Sequence, residues 1–204
     1  MRAIGAGALL SFSAPLAAQT PRLDIAPPSS SADGGATVTT VNLFAEADVR
    51  ELVRSGFPAS LRFRLELWRA GGLLNDLENS VEWEYIVQYD PTAQRYGVLR
   101  RQNGKIEEVG TFATLTTAQA VLERPFRTTL APEVSGARYY YTLAMNLEAL
   151  SVSDMDQLER WLRGTRSGTA ASAVGSGLRT LILRMLGGEK KRYNARSQTF
   201  VVEK

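Results

Sequence analysis

Two carboxylate pairs, Glu82 with Glu84 and Asp154 with Asp156, are the residues of this sequence best spaced for catalysis. Side chains two apart on a β-strand share a face about 7 Å from each other, a workable separation for the acid and base of a glycosidase-like hydrolase. The rest of the inventory leaves little other chemistry. Among 204 residues there is neither histidine nor cysteine, which removes the usual general base near neutral pH, thiolate nucleophiles and the soft ligands of zinc. A hard cation held by oxygens would need neither residue, but no calcium-loop, phosphate-loop or dinucleotide pattern occurs. The stretch GGEKKR at 187–192 lacks both the spacing and the preceding strand of a phosphate loop. Each acidic pair also has a plainer reading. Glu82 and Glu84 can face arginines across a sheet, and Asp154 and Asp156 suit the first turn of a helix capped by Ser153. The sequence therefore assigns no catalytic residue, no metal ligand and no cofactor.

The arginines in question stand in PASLRFRLELWR, residues 58–69, where Arg62, Arg64 and Glu66 alternate with Leu61, Phe63, Leu65 and Leu67. Such a row is either an anion-binding face or the wet face of a half-buried strand. In SVEWEYIVQYD, residues 80–90, Val81, Trp83, Tyr85, Val87 and Tyr89 take one face, and Glu82, Glu84, Ile86 and Gln88 take the other. Sequential strands often pair, and pairing here would bring Arg62 and Arg64 within reach of Glu82 and Glu84. Exposed cross-strand ion pairs contribute about 0.2 to 1 kcal/mol each. The row is read as the solvated half of an antiparallel pair. Arg62 and Arg64 are the binding candidates of the alternative, an anion site without facing acids.

Several elements must hold these residues in place. EADVRELVRSG puts Val49, Leu52 and Val53 at helical spacing, with Gly56 as a left-handed stop and Pro58 beyond it. Asp90-Pro91 and Asn103-Gly104 mark turns on either side of a strand through Tyr96, Val98 and Arg100. TLTTAQAVLERP predicts a helix capped by Thr116 or Thr117, with Ala120, Val121 and Leu122 inward. RYYYTLAMNLEAL predicts a central strand whose inner face carries Tyr139, Tyr141, Leu143, Met145 and Leu147; its tyrosine run is read as core and flank rather than as a ring-stacking platform. Helical spacing returns over 153–187. Its second part, about 176–186, sets Leu178, Leu181, Ile182, Met185 and Leu186 against Arg179 and Arg184, with Lys190, Lys191 and Arg192 following. That face either caps the open end of the domain, the preferred reading, or meets a partner groove or an anionic membrane surface through 176–192. A last strand is expected around Phe200 and Val202. The sum is a mainly β protein: an antiparallel β-sandwich of about seven strands with three or four short helices, including a C-terminal helical insertion before the last strand.

At the N-terminus Arg2 precedes an apolar stretch from Ala3 to Ala18 that ends in small residues, the pattern of a signal peptide over 1–18. As a helix it would span roughly 24 Å, short of the roughly 30 Å hydrocarbon core, and Pro15 interrupts it. An uncleaved anchor is the rival reading. Residues 19–35, rich in Pro, Ser and Gly, read as a flexible linker, leaving 36–204 as a single domain. With 24 basic and 21 acidic residues interspersed for a net +3, nothing marks a nucleic-acid binder.

The text ELVRSGFPASLRFRLELWR, followed by VEWEYIVQYDPTAQRY, resembles the bacterial domain-of-unknown-function family 4390. The likeness lies in the short helix ending Ser-Gly before a Pro, the strand ending Glu66-Leu67-Trp68-Arg69, the Tyr89-Asp90-Pro91 turn before Tyr96, and the strand from Tyr140 to Leu147. It implies an exported or envelope-associated protein with no assigned activity and no catalytic residues to transfer; the expected location is the periplasm or the outer face of the inner membrane. The expected function is a non-catalytic interaction or accessory module with a protein partner at the cell envelope. A sandwich binding a small apolar or anionic ligand is the alternative, and a carboxylate-dependent hydrolase the third.

Overall fold

The computed structural model describes residues 20–30, 33–71, 74–149 and 191–202. Ten strands and two helices follow one another among them: β1 (Arg22–Ala26), β2 (Thr37–Val41), α1 (Ala47–Arg54), β3 (Ala59–Arg69), β4 (Asp76–Asp90), β5 (Arg95–Gln102), β6 (Lys105–Phe112), α2 (Leu115–Leu122), β7 (Phe126–Arg127), β8 (Arg138–Ala149), β9 (Lys191–Arg196) and β10 (Phe200–Val201). All pairings are antiparallel. A three-stranded sheet has the order β1-β2-β7, and a seven-stranded sheet the order β10-β8-β3-β4-β5-β6, with β9 also pairing β8. The protein is thus mainly β, built on antiparallel sheets as the alternation predicts.

The long strands follow their periodicity. On β3, Leu61, Phe63, Leu65 and Leu67 are buried, and on β8 so are Tyr139, Tyr141, Leu143, Met145 and Leu147. They join Ile25 and Val38 of the small sheet, Ala36 just before β2, Val49 and Val53 of α1, and Leu115 and Ala118 of α2 in one core cluster. Aromatic rings fill it: Phe63 stacks on Trp83 at 5.1 Å, and Trp83 meets Phe126 at 5.2 Å. β8 is central, with β3 along one edge and β9 and β10 sharing the other. Helix α1 buries Val49, Leu52 and Val53 as its spacing predicts, and Gly56 leaves it at φ +92°, the left-handed backbone expected of a stop. The β5–β6 turn has Asn103 and Gly104 both at positive φ, which is the two-residue hairpin geometry.

Four expectations need correction. Residues 22–26, inside the predicted linker, form β1 and pair with β2 from Arg22 opposite Val41 to Ala26 opposite Thr37. Leu23 and Ile25 alternate there with Arg22 and Asp24, and burial of Ile25 supplies what the Pro- and Ser-rich surroundings lack. Gly35, in the same stretch, is needed for close approach: a Cβ there would lie 2.6 Å from the backbone of Thr128 and Leu130. Helix α2 is capped by Thr114, not Thr116 or Thr117, in a capping box with Thr117, and its buried residues are Leu115, Ala118 and Leu122. The buried set follows i, i+3, i+7 spacing, a stripe that three consecutive residues cannot share, and Ala120 is exposed. Two helices stand among the described residues where three or four are predicted; the helical segment over 153–187, with Leu178, Leu181, Ile182 and Met185, lies outside the described residues, as does the signal peptide over 1–18. Finally, Lys191 and Arg192 belong to strand β9 rather than to the flank of a helix. No helix among the described residues is long and apolar enough to cross a membrane.

Candidate functional site

The outer face of the seven-stranded sheet, the one turned away from the core cluster, carries the polar half of every alternating strand. Register sets its columns. β3 and β4 place Arg62 opposite Glu84 and Arg64 opposite Glu82, the pairing that the two sequence patterns predict. Arg64 Nη1 lies 3.1 Å from Glu82 Oε1 and its Nε 2.8 Å from Glu66 Oε1. Arg62 Nη2 lies 3.6 Å from Glu84 Oε1. The alternative reading, an anion row without facing acids, is therefore absent at Arg62 and Arg64.

Glu84 departs from the wet-face expectation. It is only 4% exposed, and its oxygens are engaged by the Ser60 hydroxyl and by the guanidiniums of Arg62 and Arg101. A carboxylate buried this far stays charged only when compensated by such donors. Arg101 comes from β5, whose register places it opposite Glu84. With both oxygens occupied, Glu84 is not open to a substrate, and Glu82 is held by Arg64. Asp154 and Asp156 lie outside the described residues. Among the described residues no group of three or more acidic side chains converges where a metal ion could be held.

A different feature of the same face was not singled out by the sequence. β8 runs between β3 and β9, and over 142–146 its outward residues are small or neutral: Asn146 lies between Arg62 and Arg192, Ala144 between Arg64 and Asn194, and Thr142 between Glu66 and Arg196. The low β8 column forms the floor of a trough of about 390 Å³, with Arg64 and Glu66 along one wall and Arg192, Asn194 and Arg196 along the other. Arg196 is fixed over the ring of Tyr140, its guanidinium carbon 3.8 Å from the centroid. Tyr140 in turn stacks on Trp68 with planes 3° apart. Trp68 Nε1 donates to Glu66 Oε2 and to Thr142 Oγ1, each at 3.1 Å. Arg192 Nε donates to Asn194 Oδ1 at 3.2 Å. The only sequence signal for this wall is the alternation Lys191, Tyr193, Ala195 against Arg192, Asn194, Arg196, which is hidden when Lys191 and Arg192 are taken as the end of a helix.

The inward residues of β9 anchor it. Lys191 Nζ lies 2.6 Å from Glu46 Oε2, and the Tyr193 hydroxyl donates to Glu46 Oε1 at 3.0 Å. Glu46 is the N-cap residue of α1, so this cluster ties β9 to the start of that helix. The hydrogen bonds from Lys191 and then Tyr193 hold the Glu46 carboxyl below its ordinary range. Burial, with the adjoining Glu46 carboxylate, pushes the Tyr193 phenol up to about 12. Lys191 is thereby committed to an internal contact and withdrawn from the basic surface predicted over 176–192.

Comparison with protein-family models, with curated protein sequences and with solved structures returned no match.

Proposed function

We propose that this chain is an exported, non-catalytic β-sandwich serving as an interaction or accessory module at the cell envelope, with a protein as its partner. The observation that carries this reading is where the empty space lies. A sandwich that binds a small ligand holds it in a concave pocket among its own side chains. Here the facing residues of β3 and β8 are packed against the small sheet with almost no exposure. Two concavities among the described residues lie on the surface: the outer trough and a space of about 310 Å³ lined by Arg100, Gln102, Asn103, Lys105 and Glu107 at the β5–β6 turn. Filled inside and contoured outside, the domain suits recognition of another surface.

The carboxylates support the non-catalytic side of the reading, because Glu82 and Glu84 are each engaged by arginine. The envelope side is supported by the apolar N-terminal stretch and by the resemblance to family 4390. The test is native mass spectrometry of the mature chain drawn from the envelope fraction of its own host. The expected result is a chain starting near Gln19, in stoichiometric complex with a protein and free of small ligand. A co-purifying small molecule at stoichiometric level, or recovery of the full-length chain from the cytosol, would overturn it.

A further inference from the structure

We infer that the trough over β8 is a docking groove for an extended acidic segment of a partner polypeptide; this rests on the reading of the domain as an interaction module and names the chemistry of its partner. Three features of the trough lead there.

The first is uncompensated charge. Three arginines and one glutamate line it. Arg64 and Glu66 neutralise each other, and Glu66 also accepts from Trp68 and Thr142. Arg192 and Arg196 are exposed, and neither forms an ion pair with an acidic side chain among the described residues. Their only contacts there are neutral: Asn194 for Arg192 and the Tyr140 ring for Arg196.

The second is preorganisation. Stacked on Tyr140, the Arg196 guanidinium is already held in one plane, and the Asn194 amide holds Arg192 by a single N–H. Ordering these long side chains on binding thus loses little entropy, and most of their donors remain for a carboxylate, which a guanidinium can grip through two parallel hydrogen bonds.

The third is shape and spacing. Neighbouring strands lie about 4.8 Å apart, so the walls on β3 and β9 stand roughly 10 Å from each other, the width of one extended chain lying over β8. Ala144 and Thr142 on the floor let a backbone come close. Arg192 and Arg196 are four residues apart on β9, roughly 13 Å. An extended peptide spaces its own first and fifth side chains by the same distance and turns them to the same side. Acidic residues at those two positions would each meet one guanidinium. A continuous polyphosphate fits less well, because Glu66 on the opposite wall, with Glu82 beyond Arg64 on β4, sets negative charge across from the two arginines.

The test is fluorescence anisotropy of the full chain with a labelled peptide alternating glutamate and serine, set against the same peptide with glutamine for glutamate. Salt-sensitive binding of the acidic peptide alone is expected. The double variant Arg192→Gln, Arg196→Gln should weaken it at least about tenfold with an unchanged melting temperature. Ala144→Tyr, which fills the floor without altering charge, should weaken it comparably, whereas Arg95→Gln at the distant β4–β5 turn should not. Equal binding of the two peptides would overturn the groove. So would full binding by the double variant or by Ala144→Tyr, or competition by inorganic phosphate or phosphatidylglycerol vesicles as effective as that of unlabelled peptide. If instead the double variant captured the same envelope partner as the wild-type chain, the groove would fall while the interaction-module reading stood.

Discussion

Glu84 sits where Ser60, Arg62 and Arg101 converge on a charge that water barely reaches, and the ion pairs of this face differ in how much they matter. Arg64 and Glu82 are both about half exposed, at 48% and 56%, so Arg64→Gln is expected to lower stability by less than about 1 kcal/mol. Replacing Arg62 and Arg101 together strips a buried carboxylate of its cationic partners. A loss of about 3 kcal/mol is expected, read as a shift of the denaturation midpoint without a change of slope. The Arg62 to Glu84 and Arg64 to Glu82 pairing is legible in the sequence, because a period of two on consecutive strands leaves few registers that keep both apolar faces inward. The burial of Glu84 is not, since it depends on Arg101 arriving opposite it from a third strand, β5. The Glu46 cluster gives a pH signature of its own. Glu46 titrates below its ordinary 4.5 in the fold, so its contribution is present above that value and is lost as pH falls through the lowered one. Tyr193 has the opposite sign: its contribution is full below the ordinary phenol value of 10.0 and fades as pH rises through about 12. In a pH series of urea melts, the stability difference between wild type and Glu46→Gln should therefore shrink in acid. A difference that stays constant across the acid range would contradict it.

The strands at the margins of the fold show what a composition window conceals. β1 lies in a segment where Pro, Ser and Gly outnumber large apolar residues, yet Ile25 is buried in the core cluster. If 22–26 were a linker, Ile25→Ala would leave stability unchanged. As the inward residue of β1 it should cost about 2 to 4 kcal/mol, measurable by thermal or chemical unfolding. β9 is hidden for a related reason. Its six residues, Lys191–Arg196, carry only one aromatic and one small residue on the inward side besides Lys191, and the basic run before it draws attention to charge instead of alternation. Where an element is long and strongly patterned, as β3, β4 and β8 are, the sequence is sufficient. Where it is short and its burial is provided by another part of the chain, only tertiary pairing reveals it. Helix α2 illustrates the intermediate case: its existence is legible, but Thr114, Thr116 and Thr117 offer competing caps, and its buried stripe of Leu115, Ala118 and Leu122 begins at the first residue after Thr114.

At the scale of the whole molecule, two antiparallel sheets share one filled core, and the largest sheet turns a charged, contoured face outward. Most of that face is internally neutralised, since β3, β4 and β5 set arginine against glutamate in adjoining columns. On the walls of the trough the imbalance lies with β9, which is why the trough over β8 and not the arginine row of β3 is the place where a partner gains from docking. A photo-crosslinking residue introduced at Asn194, between Arg192 and Arg196, would report on that place directly in the envelope of the native host. A discrete protein adduct, lost when Arg192 and Arg196 are both changed to glutamine, is the expected result. The absence of any protein adduct, labelling of lipid alone, or an adduct indifferent to the two arginines would contradict it.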